Sequence, residues 1–121
     1  MSRRAAGTLW EDRAASHLCD HGLEPVARNF HSRFGEIDLV MCDGATLVFI
    51  EVRFRSARAR VGAAASVTPV KQRRLIQAAQ FFLLRQPEWA QARMRFDVVA
   101  FDAREDGGAD IAWYRDAFRA G

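Results

Sequence analysis

The chain has 121 residues, 50% of them apolar and 27% charged, with a formal net charge of +3 and a pI near 9.5. That length fits one compact domain rather than two, and no apolar run is long enough to cross a bilayer. The mild basic excess is compatible with a polyanionic partner without requiring one.

Residues 1–7 are basic but lead into no apolar core, so they do not read as a secretory signal. In such a chain Cys19 and Cys42 read as reduced thiols of a cytoplasmic protein. A first helix is expected over residues 9–21, because Trp10, Ala14 and Leu18 recur every fourth residue and Gly22 supplies a stop. Thr8, with Glu11 three residues later, has the form of a capping box. Residues 23–28 predict a short strand, and Pro25 assigns it to a sheet edge. A hairpin follows over residues 34–42 and 46–54, with Asp43-Gly44 as its turn. Residues 56–66 are rich in Arg, Ala and Gly without a period and predict a mobile loop. Thr68 as N-cap and Pro69 at the first helical position open a second helix. It runs to residue 85 and is stopped by Pro87, with Val70, Ile76, Ala79 and Leu83 facing inward. A fourth strand is expected over 94–102, then a polar turn over 103–110 containing Gly107-Gly108, then a short strand over 111–114. Helix, three strands, helix and two strands describe an α/β protein bordering on α+β. It has a mixed sheet flanked by helices and forms a single domain over residues 1–121.

The chemistry concentrates in the hairpin. Ile37, Leu39 and Met41 share one face of its first strand, and Val48, Ile50, Val52 and Phe54 share one face of its second. The opposite faces carry Glu36 and Asp38, then Glu51, Arg53 and Arg55. Side chains alternate, so the parity of the pairing decides whether the carboxylates meet. A two-residue turn at Asp43-Gly44 pairs Cys42 with Ala45, Asp38 with Phe49 and Glu36 with Glu51. Glu36, Asp38, Glu51 and Arg53 then share a face. Three clustered carboxylates repel one another unless a cation intervenes. Mg²⁺ or Mn²⁺ can be held by one or two carboxylates completed by water and phosphate oxygens, so Asp38 and Glu51 suffice as metal ligands. Such an ion would activate water and neutralise charge developing on phosphorus, with Arg53 on the scissile phosphate. The same alternation also fits an ordinary sheet with one solvated face, in which Glu36 and Arg53 form a cross-strand pair.

Other residues sort around this centre. Arg33, Arg55, Arg58, Arg60, Arg73 and Arg74 are candidates for phosphate contact, or for nothing more than a solvated surface. Asp97 reads as a structural partner of Arg95 or Arg74. His17 and His21 share a helical face while Cys19 points elsewhere, and no second ligand pair follows to make a zinc site. His31 reads as a loop residue; Trp89, Trp113, Phe81 and Phe82 read as core or interface.

Several stretches, in order, closely resemble the bacterial YraN family. They are Gly35-Glu36-Ile37-Asp38-Leu39-Val40, Val48-Phe49-Ile50-Glu51-Val52-Arg53-Phe54-Arg55, Lys71 with Arg74-Leu75, and Arg95-Phe96-Asp97-Val98-Val99. Gly7, Glu11, Ala14 and Leu18, and the terminal Asp116-Ala117-Phe118, resemble that family's ends. The resemblance spans nearly the whole chain. It implies a fold similar to restriction endonucleases and Holliday-junction resolvases, with an αβββαβ core. By analogy it implies a Mg²⁺- or Mn²⁺-dependent endonuclease acting on structured or branched DNA. Asp38 matches the first metal-binding aspartate of the PD-(D/E)xK pattern, Glu51 its second acidic ligand, and Arg53 stands where the pattern has lysine. Arginine stays protonated and cannot serve as a base, so Lys71 is the candidate for the missing ammonium. Glu11 is implied as a further metal ligand from the first helix, with the capping box as the competing account. The implied partner is nucleic acid, DNA ahead of RNA, with no membrane. A homodimer is compatible, since resolvase-like relatives act as dimers. Two alternatives stay open: a nucleic-acid-binding protein of the same fold with weak or no catalysis, and a protein-interaction module.

Overall fold

The computed structural model describes residues 3–120. A helix, α1 (Arg3–Asp20), leads into three antiparallel strands, β1 (Glu24–Ser32), β2 (Gly35–Asp43) and β3 (Thr46–Arg55). A short 3₁₀ turn (Ala64–Ser66) precedes α2 (Pro69–Arg85), and a second (Pro87–Trp89) follows it. Strands β4 (Arg93–Ala103) and β5 (Ala109–Phe118) complete a five-stranded sheet in the order β1-β2-β3-β4-β5. The β3–β4 pair is parallel and the other three are antiparallel. A parallel pair needs a crossover, and α2 supplies it.

The order of elements matches the sequence expectation, with longer strands at both edges. Thr68 caps α2 by accepting the Lys71 backbone N–H at 3.3 Å, with Pro69 beginning the helix. Pro25 does lie on an edge strand, beside a register shift between Pro25 and Ala27. The capping box does not form: α1 begins well ahead of Thr8, which is therefore interior to the helix and cannot be its N-cap.

The sheet is buried on both faces, as a sheet flanked by helices should be, and not on one face only, the alternative that the alternation also fitted. Ala14 and Leu18 of α1, with Trp10 stacked on Phe54 at 4.5 Å, cover Leu39, Met41, Val48, Ile50 and Phe101. On the other side α2 covers Val40, Leu47, Phe49, Phe96 and Val98. The buried residues of α2 are Leu75, Ala78, Ala79 and Phe82. Of the inward set read from the sequence, Ile76 and Leu83 pack only at the margin, while Val70 is exposed. The short apolar runs of this helix fit two overlapping faces, and tertiary contact selects one.

The segment 56–66 is not a mobile loop throughout. Residues 56–62 are exposed, whereas Ala63 is buried and donates its N–H to Asp102 Oδ1 at 2.8 Å. Ser66 is buried as well.

Candidate active-site cleft

The β2–β3 turn sets the geometry of the charged residues. Asp43 pairs with Thr46, so the central residues are Gly44 and Ala45, one position later than Asp43-Gly44. Gly44 has φ of +61°, as the first central residue of a type II′ hairpin turn requires. The slip moves the register by two residues. Leu39 pairs with Ile50, which carries Asp38 towards Glu51 rather than Phe49. A two-residue slip preserves parity, so the shared face survives.

The paired ladder ends at Leu39–Ile50. Just beyond it the Val52 backbone N–H donates to Asp38 Oδ2 at 2.8 Å, which holds that carboxylate between the strands. Glu51 projects beside it, with 12% of its side chain exposed. Arg53 Nη1 stands 3.6 Å from Glu51 Oε1, longer than a hydrogen bond, while Arg53 Nε donates to Ser66 Oγ at 2.9 Å. Lys71, Arg74 and Leu75 on α2 form the opposite wall of a cleft of about 310 Å³, whose rim includes Gly35 and Glu36. Gly35 has φ of +153°, a conformation that L side chains rarely adopt, and lies against Arg74 at the start of β2.

Burial dominates the electrostatics. It pushes Asp38 up to about 6, helped by the Glu11 and Glu36 charges and opposed by the Val52 N–H and Arg53. It pushes Glu51 further, to about 8, with the Asp38 charge adding to the effect and Arg53 and Lys71 opposing it. Two carboxyls that resist ionisation side by side, with cations around them, form a site short of positive charge at its centre.

The structure thus brings Asp38, Glu51, Arg53, Glu36, Lys71 and Arg74 to one cleft. Glu36 is peripheral. Its side chain is 65% exposed and pairs with His31 Nδ1 at 3.0 Å, not with Arg53. Among the described residues no three acidic, His or Cys side chains form a ready metal-binding group, so Glu11, Asp38 and Glu51 are not drawn together as one. Glu11 instead faces Arg28 at 3.7 Å, and its buried Oε1 has no hydrogen-bond partner among the described residues. Its charge is close enough to Asp38 to help raise it.

Arg33, Arg55 and Arg73 do not line the cleft. Arg33 lies over the Phe34 ring at 4.9 Å, Arg55 reaches the Phe54 carbonyl at 3.3 Å, and Arg73 is exposed on α2. Arg58 and Arg60 are exposed. Asp97 pairs with Arg95 and not Arg74. His17 and His21 pack ring to ring at 4.6 Å beside Trp113, and Cys19, exposed, and Cys42, half-buried, are both free thiols. No helix among the described residues is long and apolar enough to cross a membrane. Ser66, which holds Arg53, and the Val52 N–H, which holds Asp38, were not visible as site components in the sequence. No local pattern marks a serine that meets its partner from 13 residues away.

The family described as "Uncharacterised protein family UPF0102" matches residues 10–101, a span that includes the whole cleft and stops before β5. A UPF0102 protein of Ralstonia pickettii is 56% identical over 118 residues, covering 94% of this chain and 90% of that protein. One from Halorhodospira halophila is 49% identical, covering 96% of this chain and 88% of its own. One from Pseudomonas entomophila is 44% identical, covering 97% and 95%.

Proposed function

The chain belongs to the uncharacterised protein family UPF0102, the YraN family, and from that premise we propose that it is a nucleic-acid-binding, nuclease-like protein. In this reading it uses Mg²⁺ or Mn²⁺ to hydrolyse phosphodiesters in structured or branched DNA in the cytoplasm. Its sheet and two helices, in the order helix, three strands, helix, strand, are assigned to the restriction-endonuclease-like core as part of the same proposal. The observation that carries it is one cleft in which two buried carboxylates, Asp38 and Glu51, face Arg53, Lys71 and Arg74.

That arrangement suits a hard divalent ion together with an anion. Asp38 and Glu51 offer oxygen ligands with little competition from protein donors, and Mg²⁺ is commonly held by one or two carboxylates plus water and a substrate phosphate. When bound, the ion would supply the positive charge that lets both carboxylates ionise and that offsets charge on the phosphate. Asp38 is oriented by the Val52 N–H. Arg53 presents a permanently protonated fork suited to phosphate oxygens. Lys71, close enough to favour an ionised Glu51, adds a second cation on the α2 wall. Arg33, Arg55 and Arg73 would serve, if at all, as outlying backbone contacts.

The test is a panel of branched, duplex and single-stranded DNA incubated with Mg²⁺ or Mn²⁺. Cleavage by the native protein, lost in Asp38→Ala and Glu51→Ala, is the expected result. The absence of DNA affinity at low salt would remove the reading altogether. Arg53 favours a second reading, binding without efficient cleavage, because it is tethered to Ser66 and cannot give up a proton. Salt-sensitive binding with no cleavage, and a gain of cleavage in Arg53→Lys, would select that version.

A further inference from the structure

We propose that Ser66 is a positioning residue: it ties the Arg53 guanidinium back so that Glu51 stays open to a divalent cation. The inference rests on the reading of the cleft given above. Arg53 and Glu51 lie two residues apart on β3, on one face, and nothing in strand geometry prevents their forming a forked ion pair. They form only a loose ion pair: Nη1 stands 3.6 Å from Glu51 Oε1, while Nε is committed to Ser66 Oγ at 2.9 Å. Both side chains are largely buried, with 16% and 12% exposed, so the gap is not a consequence of solvent competition.

The tether is itself anchored. Ser66 Oγ donates to the Ala63 carbonyl at 2.5 Å, which leaves its lone pairs directed at Arg53. The Ala63 N–H is in turn held by Asp102 on β4. A chain of hydrogen bonds thus runs from the sheet through the 3₁₀ turn to the guanidinium. It fixes one edge of the Arg53 fork. Without the hydroxyl, the guanidinium is free to swing onto Glu51 and occupy the oxygens that a cation needs. Hydrogen bonds to charged groups are strong enough for that competition to weaken cation binding about tenfold.

The experiment is Mn²⁺ binding followed by the loss of the free-ion EPR signal, in a double-mutant cycle of Ser66→Ala and Arg53→Ala. Ser66→Ala alone should raise the Mn²⁺ Kd about tenfold. In the Arg53→Ala background the same change should have no effect, since no guanidinium remains to intrude. A merely structural role for Ser66 would weaken binding equally in both backgrounds and overturn the proposal, as would an unchanged Kd in the single variant. Should Ser66→Ala not fold, Asp102→Ala loosens the same anchor from outside the cleft. It must show the same dependence on Arg53, and its absence would also count against the proposal. Native protein that binds neither Mn²⁺ nor DNA defeats the function itself. Native Mn²⁺ binding without the Arg53-dependent pattern defeats only the role of Ser66.

Discussion

Two groups of carboxylates lie in the same sheet, one fully buried and one partly buried, and they are treated in opposite ways. Asp97 on β4 has no exposed surface. It accepts from Arg95 Nε and Nη2 at 3.0 and 3.2 Å, from Trp113 Nε1 at 2.9 Å and from the Asp116 N–H at 2.9 Å. Arg95 continues to Asp43 at 2.9 Å, so the charge is compensated on every side. Asp38 receives the Val52 N–H, and Glu51 a loosely paired guanidinium at 3.6 Å. A buried charge that is fully hydrogen-bonded holds structure together. A buried pair left short of donors costs stability, and folds tolerate that chiefly where a ligand completes the site.

The comparison can be broken most forcefully at Asp97. Asp97→Ala leaves Trp113 Nε1 and the Asp116 N–H without their acceptor and Arg95 with Asp43 alone, and should cost about 3–5 kcal/mol in urea unfolding. A loss below about 1 kcal/mol would mean that its network is not what secures β5. At the cleft the sign should reverse. Asp38→Asn and Glu51→Gln remove charges that the fold disfavours, so each should stabilise the metal-free protein at pH 8 by about 1 kcal/mol, after discounting for residual solvent access. The same variants should lose Mn²⁺ binding. Destabilisation by either would show that the carboxylate is a structural group like Asp97.

The pH profile sharpens the contrast further. Both cleft carboxyls titrate higher in the folded chain, about 6 for Asp38 and about 8 for Glu51, than the 3.8 and 4.5 of free groups. The folded state therefore holds more protons between these limits. The contribution of these two groups to stability is fully present below about pH 4 and is lost as pH rises towards 8, by about 1 kcal/mol per unit where one group dominates. Melting temperature measured from pH 4 to 8 should decline without metal. With Mg²⁺ or Mn²⁺ added it should decline less, and the rescue should be largest at pH 8. A flat metal-free profile would contradict the burial of this pair. The smallest effect is expected at Glu36, whose exposed pair with His31 is worth little: Glu36→Gln should change stability by less than about 0.5 kcal/mol.

How much of the cleft could be read in advance follows from symmetry. The strand period of two makes face-sharing by Asp38, Glu51 and Arg53 insensitive to any even slip, so the site survived a turn that was misplaced by one position. The same logic failed for the surrounding face. The alternation that marked these charges as solvated did not register α2 covering Val40, Leu47 and Phe49 farther along the strands. Glu11 illustrates the opposite failure. A local capping motif was plausible at Thr8 and Glu11, but propagation of α1 towards the N-terminus outweighed it.

The sequence by itself determined the order of elements, the family and the residues that share the polar face. Each of these depends on short-range periodicity, capping chemistry or direct similarity. Only the tertiary structure decided that the polar face is a cleft under α2, that Asp38 is held by the Val52 N–H, and that Arg53 is hydrogen-bonded by Ser66. Those outcomes depend on contacts between segments distant along the chain. Burial there turns ordinary carboxylates into reluctant ones, and burial is a property of the packed molecule.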